Sequence, residues 1–367
     1  MRARKRNFVD GIIRRIGERK SPLYFIMNER KESFWIDYDA IRRYKMTFNF
    51  IIGGRGGGKT YGAIDMLNRY EEKSIWMRRT QVEIDLLQAN KGNIALNPFR
   101  AYGNDKGIEY DFKKLNKLVS AFGHVVDEKF EFSGYMLALT TVASIRGFNA
   151  DEIDDLIYDE FIPEMHKSKM KGEAEAFLNA YETVNRNREM EGREPLRCFL
   201  LSNSNQLNSP LLNYLKLDDV IEKMKRKKQE LYLNPQRSIL IYLPHQKSYQ
   251  QKKAQTAIAT LTQGTEFYSM AYENEFAYND FSNIGGVNLR GYRPVCNIAG
   301  IGIWSNDDSG KIYCCLAKAG EREYQDTKAD ILRFNEEIGR KLYRFYIHNN
   351  LQFQNFSIRE KIVEIIG

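Results

Sequence analysis

Cysteine and histidine are both scarce, with four of each in 367 residues. Cys198, Cys296, Cys314 and Cys315 show no Cys-x-x-Cys spacing, which argues against a structural zinc cluster and against a disulfide framework. No apolar run approaches the roughly 18 residues that span a bilayer, and no continuous apolar stretch of about 7–15 residues marks a secretory signal. The chain is expected to remain in the cytosol with no membrane partner. A strong excess of one charge is missing too: 56 Lys+Arg face 48 Asp+Glu, a formal +8. With 43% hydrophobic residues, a disordered or collagen-like chain is excluded, and the length suits two or three domains.

The charge is uneven along the chain. Residues 1–46 carry 13 basic and 6 acidic side chains, a balance of +7, whereas 47–282 carry 31 and 32 and 283–367 carry 12 and 10. In the first 20 residues Phe8, Val9, Ile12, Ile13 and Ile16 fall on one helical stripe, with Arg14, Arg15, Arg19 and Lys20 off it. This reads as a basic amphipathic arm, either docked on its own protein or contacting nucleic acid, an acidic partner or a membrane surface.

From about Met46 short apolar strands alternate with helical stretches, which predicts a mainly parallel α/β sheet. Strands are expected at Thr47–Ile52, Ser74–Arg78, Leu156–Tyr158, Arg197–Leu201 and Ser238–Leu243, with a hairpin over Lys129–Leu139 turning at Ser133-Gly134. A helical connector is expected over Gln246–Leu261. Beyond Asn283, Val295–Trp304 and Lys311–Leu316 flank the turn signal Ser305–Gly310 and predict a smaller α+β domain. The expected division is 1–45 arm, 46–245 motor domain, 246–282 linker and 283–367 C-terminal domain.

Between the strand FNFII and the helical stretch YGAIDMLNRYEE lies Gly53-Gly54-Arg55-Gly56-Gly57-Gly58-Lys59-Thr60, a complete G-x-x-x-x-G-K-T. Glycines let successive N–H groups curl around a phosphate. Lys59 reaches the β and γ oxygens, Thr60 can ligate Mg²⁺, and the helix N-terminus attracts negative charge. A cradle alone hydrolyses nothing; a carboxylate at the end of a buried strand and a water-polarising group are also needed. Asp159, after the apolar run Leu156-Ile157-Tyr158, suits the metal, and the adjacent Glu160 suits the water. Arg197–Asn203 is an apolar strand whose terminal Asn203 can sense the γ-phosphate or simply form a turn. Arg186 and Arg188 sit near the end of a helix and can either stabilise transition-state charge from a neighbouring subunit or pair with Glu182 and Glu189 on the surface.

Together these segments resemble the DNA-packaging ATPases of small tailed phages of the phi29 type. FNFIIGGRGGGKTYGA is similar to the family's strand and arginine-containing Walker A loop, SIWMRRT to its second strand, and LIYDEFIPE to its Walker B segment. TVNRNRE and RCFLLSNSNQLNSPLLNYL resemble the arginine-finger and sensor region, and LTQGTEFYSMAYENEF the segment leading into the C-terminal domain. The resemblance spans roughly 45–282 and weakly the remainder.

The resemblance implies a P-loop NTPase of the additional-strand, catalytic-glutamate (ASCE) type. It would bind ATP and Mg²⁺ and form a homopentameric ring at the procapsid portal that drives double-stranded DNA inward. The site would comprise Gly53, Gly54, Arg55, Gly56, Gly57, Gly58, Lys59, Thr60 and Tyr61, with Asp159 as Walker B acid, Glu160 as catalytic glutamate and Asn203 as sensor. Arg186 is the preferred trans-acting finger and Arg188 its competitor. Partners would be double-stranded DNA, the portal protein and a packaging RNA. The place of action would be the cytoplasm of the infected host, with the protein absent from the mature virion.

The C-terminal domain of the family is similar to an RNase H-type nuclease that has lost its metal-binding acids, and the strand candidate VCNIAGIGIW indeed carries none. The 45 residues before the P-loop exceed what the family leads one to expect. Because the motor segment is nearly neutral, DNA contact there would need local groups. Arg78, Arg79, Lys106, Lys129 and Arg146 are the candidates, along with the run Lys223–Lys228, all through phosphates rather than bases. Two other readings stay open: a nuclease-competent terminase, and a P-loop module without motor activity.

Overall fold

The computed structural model describes residues 36–54, 56–88, 97–141, 151–163, 170, 172–203, 209–244, 255–263 and 283–367. The arm up to residue 35, Arg55, Arg146 and residues 246–254 and 264–282 of the expected linker lie outside them. The described residues separate into two compact units, one drawn from Met1–Asn205 and Lys227–Ala277, the other from Gln206–Arg226 and Tyr278–Gly367. Residues 209–226, assigned from sequence to the motor segment, group with the C-terminal unit.

In the first unit the strands are β1 (Phe48–Gly53), β2 (Ser74–Arg78), β3 (Tyr110–Lys114), β4 (Val119–Val126), β5 (Lys129–Ala138), β6 (Asp155–Asp159), β7 (Arg197–Asn203), β8 (Leu231–Asn234) and β9 (Ile239–Tyr242). Among the described residues they form one nine-stranded sheet in the order β3-β4-β5-β2-β6-β7-β1-β9-β8. The six strands from β5 to β9 run parallel, and antiparallel partners flank them at both edges. A parallel sheet covered on both faces needs continuous apolar runs. Phe50–Ile52, Ile75–Met77, Leu156–Tyr158 and Cys198–Leu201 supply them, each residue at most 1% exposed.

Helices α1 (Tyr38–Arg43), α2 (Lys59–Tyr70), α3 (Gln81–Gln88), α4 (Pro98–Lys106) and α5 (Glu173–Asn185) belong to the same unit. Helix α1 lies within the segment expected to be part of the arm, yet Tyr38, Ala40 and Ile41 are buried in the core with α2. Asp37 caps α1 through the Ala40 N–H, and the Tyr38 ring covers Gly62, where an added Cβ would stand 2.8 Å from it. Burial of each such side chain contributes on the order of 2 kcal/mol. At the other end of α1, Arg42 donates to Glu72 (2.7 Å) and Arg197 donates to both Glu72 (2.8 Å) and Asp155 (2.7 Å).

The expected turn at Ser133-Gly134 is not there. Lys129–Ala138 is one strand, and the hairpin turns instead at Asp127-Glu128, both in the left-handed region at φ 49° and 63°. Two positive φ angles match the twist of a two-residue hairpin. Gly134 serves a different need: a Cβ there would lie 1.9 Å from the Ser74 carbonyl oxygen of β2.

The second unit contains α6 (Pro210–Tyr214), α7 (Asp218–Arg226), β10 (Arg293–Ile298), β11 (Ile301–Asn306), β12 (Lys311–Cys315), β13 (Glu323–Tyr324) and β14 (Leu351–Phe353). Its remaining helices are α8 (Lys328–Phe334), α9 (Arg340–Ile347) and α10 (Phe356–Ile366), with a π-helical turn, Asn335–Gly339, joining α8 to α9. The five strands are ordered β13-β10-β11-β12-β14. VCNIAGIGIW is therefore not one strand: Ala299 and Gly300, at φ 51° and 78°, fold it back on itself as β10 and β11. The Asp307–Gly310 turn lies where expected, between β11 and β12.

Candidate active site

The ends of three strands, β1, β6 and β7, converge on one cavity. The loop after β1 enters α2 through Gly56 and Gly58, both at φ 79°, a conformation that costs glycine little and other residues more. Gly58 caps α2 without a side-chain hydrogen bond, and the N-terminus of a helix favours an anion. Lys59 is 8% exposed, and its ammonium donates to the carbonyls of Gly53 (3.0 Å) and Gly54 (2.7 Å). From behind, the Tyr38 hydroxyl donates to the Lys59 carbonyl at 2.6 Å. Burial, and secondarily the charge of Asp159, pushes the Tyr38 phenol well above its ordinary pKa, so it stays a neutral donor.

One turn into the site, the Thr60 hydroxyl donates to both Asp159 oxygens, at 3.2 and 3.4 Å. A hydroxyl and a carboxylate at this separation form the paired oxygen donors that Mg²⁺ takes together with phosphate. Asp159 ends β6 and is 2% exposed. Glu160 follows in the left-handed region at φ 57°, which turns its half-exposed carboxylate out of the strand. Such a backbone costs a non-glycine residue about 1 kcal/mol or more, and it tends to occur where function needs it.

Arg78 was expected to touch DNA, but the structure puts it inside this site. Its Nη2 donates to Asp159 (2.6 Å) and its Nη1 lies 2.6 Å from Glu160. Burial alone would lower its pKa; the charges of Asp159 and Glu160 outweigh that and raise it, so it stays charged. Arg79 is withdrawn as well, forming a buried two-point pair with Glu173 at 3.0 and 2.8 Å. The pore expectation does not carry over to either arginine, since both are committed to carboxylates. Lys106, in the last turn of α4, and Lys129, beside the β4–β5 turn, are exposed.

The cavity measures about 520 Å³ and is lined by Gly56, Gly58, Lys59, Thr60, Tyr61, Asp159, Glu160, Ser202 and Asn203, with Pro98 and Ala101 of α4 on a further wall. Its size suits a nucleotide-sized ligand. Tyr61 stands edge-on to Tyr102 at 5.0 Å, and its hydroxyl bonds Asp105. Ser202, beside Asn203 at the end of β7, positions the loop after Asp159 by accepting the Ile162 N–H at 3.3 Å. Arg186 and Arg188 are not among the lining residues. Arg188 is 6% exposed and donates to the Ile153 carbonyl at 2.6 Å, whereas Arg186 is exposed at the C-cap of α5 with φ 47° and ψ −126°.

Missing from the sequence reading were Arg78 as a partner of the acids, Tyr38, and the α4 wall. The signal for Arg78 was present in the strand order. Pairing β2 parallel to β6, with Met77 beside Tyr158, brings Arg78 level with Asp159.

A family model described as Podovirus DNA encapsidation protein (Gp16) matches residues 30–360. The DNA packaging proteins of Bacillus phages PZA and phi29 are each 26% identical to this chain over 355 residues, covering 91% of it and 97% of each relative. A chain of the solved bacteriophage phi29 viral genome packaging motor assembly shares the fold, with a TM-score of 0.61 at 21% identity over 91% of this chain and all of that one. The chain thus belongs to the podovirus DNA encapsidation protein (Gp16) family.

Proposed function

We propose that this DNA-packaging protein of the phi29 type binds ATP with Mg²⁺ in the cavity between β1 and β6 and hydrolyses it to drive double-stranded DNA into a procapsid. The observation that carries the reading is that Lys59, Thr60, Asp159, Glu160 and Asn203, drawn from separate parts of the chain, line one cavity. Lys59 and the glycine N–H groups would hold the phosphates, and Thr60 and Asp159 the metal. Bound there, Mg²⁺ would offset phosphate charge. Glu160 would orient and polarise the attacking water, and Asn203 would report the terminal phosphate.

Support for the ASCE reading comes from β7, which lies between β1 and β6 as an additional strand. In the second unit β10, β11 and β12 contain no Asp or Glu, which favours an RNase H-like fold without nuclease chemistry over a DNA-cutting terminase. For the trans-acting finger, the exposure of Arg186 and the burial of Arg188 favour Arg186. On this reading the subunits form a ring of five at the portal inside the infected host. DNA, the portal and a packaging RNA are its partners.

ATP turnover measured with and without double-stranded DNA, alongside sedimentation to read assembly, tests the proposal. Turnover that rises with DNA and vanishes in Lys59→Ala is expected. ATP turnover indifferent to both would overturn it.

A further inference from the structure

The turn that follows α5 is built more firmly than a surface loop requires. Asn185, buried, accepts the Leu196 N–H at 2.7 Å and donates to Glu189 at 3.1 Å. Arg188 and Arg193 reach back to the carbonyls of Ile153 (2.6 Å) and Asp151 (2.9 Å), and backbone bonds Glu191 to Asn187 and Arg193 to Arg188 close the turn. This scaffold holds two outward side chains four positions apart. One is Arg186, on a backbone that glycine would normally occupy. The other is Met190, which at 81% is the most exposed large apolar side chain among the described residues.

A rigid turn offering a cation beside an adaptable apolar side chain matches the lining of the cavity described above. Two carboxylates, Asp159 and Glu160, and the apolar Pro98 and Ala101 line that same cavity, and Ala101 is exposed. We propose that the turn 186–193 docks on a second copy of this chain: Met190 seats on the Pro98–Ala101 wall of that copy's cavity and so brings Arg186 to that cavity. This rests on the trans-acting reading of Arg186. Knob and socket are different surfaces, so the contact is head-to-tail and can propagate around a ring. Methionine suits the knob because its unbranched chain fits an irregular wall, and a pre-ordered turn loses little entropy on docking. Met190 is a positioning residue; it touches no reacting atom.

The test mixes full-length Met190→Cys chains with full-length Ala101→Cys chains in a non-hydrolysable ATP analogue and adds a short bis-maleimide. All four native cysteines are buried, so background coupling is small. A covalent dimer joining position 190 of one chain to 101 of the other is expected in the mixture and not with either variant alone; its absence from the mixture overturns the proposal. In parallel, Met190→Ser should weaken nucleotide-dependent self-association about tenfold, the scale of exposing one apolar side chain, while Met190→Leu stays within about twofold of wild type. Unchanged self-association in Met190→Ser also overturns it. If the dimer forms but Arg186→Ala retains turnover, the contact stands and the finger reading fails. If Arg186→Ala is dead and no dimer forms, the finger stands and the contact fails.

Discussion

Arg78 and Asp159 are joined at 2.6 Å across the parallel pairing of β2 and β6, and the same guanidinium reaches Glu160 at 2.6 Å. One cation therefore bridges both acids at the candidate site and fixes their direction. Glu160 is half-exposed, so its share of this pairing is screened; the buried Asp159 contact dominates.

Replacing Arg78 with Ala leaves Asp159 buried without this partner. Unfolding by urea is expected to show a loss of about 3 kcal/mol in the first unit, with turnover reduced at least tenfold. Arg78→Lys can meet one carboxylate but not both, and should recover stability better than turnover. Equal recovery of the two would show that bridging is irrelevant.

Lys59→Ala removes the ammonium over the loop without touching the apolar core. Binding of a fluorescent ATP analogue should fall by at least a hundredfold while the far-ultraviolet circular dichroism is unchanged.

The two finger candidates separate by stability. Arg188→Ala strands the Ile153 carbonyl in a buried setting and should cost about 1–3 kcal/mol. Arg186→Gly relieves a strained backbone and should raise the melting temperature by a few degrees, about 1 kcal/mol, yet abolish turnover. Mixing Glu160→Gln chains, which keep Arg186, with Arg186→Ala chains should restore part of the activity.

Asp218, at the start of α7, carries a pH signature. Burial, reinforced by Asp219, pushes its carboxyl up to about 6. A raised folded pKa means that the folded unit holds the proton more tightly than the unfolded chain, where Asp titrates near ~3.9. The stabilisation is complete below that value and is lost as pH rises through about 6. Asp218→Asn should therefore raise the melting temperature of the second unit, relative to wild type, more at pH 7.5 than at pH 4.5. Scanning calorimetry at both values checks it.

Much of the first unit could be read before folding. The runs at 47–52, 74–78, 156–158 and 197–201 became β1, β2, β6 and β7 because a strand covered on both faces needs little beyond apolar continuity. That Lys59, Thr60 and Asp159 line one cavity was legible for a similar reason: the G-x-x-x-x-G-K-T run and the acid that ends an apolar strand tie residue type to spacing. The hairpin failed because Gly134 looked like a turn residue, when its missing Cβ accommodates the Ser74 carbonyl on the neighbouring strand. The C-terminal strands were misjoined because Ala299 carries no composition signal for the left-handed turn it makes.

By itself the sequence determined the strand–loop–helix at 48–70, the acids that end β6, and the apolar runs that make the sheet parallel. These depend on local pattern and on chemistry that permits few residue types. Only the tertiary structure decided which cations serve those acids. Arg78 and Asp159 are 81 positions apart, and their meeting is set by strand order and register, which no local pattern encodes. The same holds for Arg79 with Glu173 and for the division between buried Arg188 and exposed Arg186. A charge written in a sequence has no partner until packing chooses one.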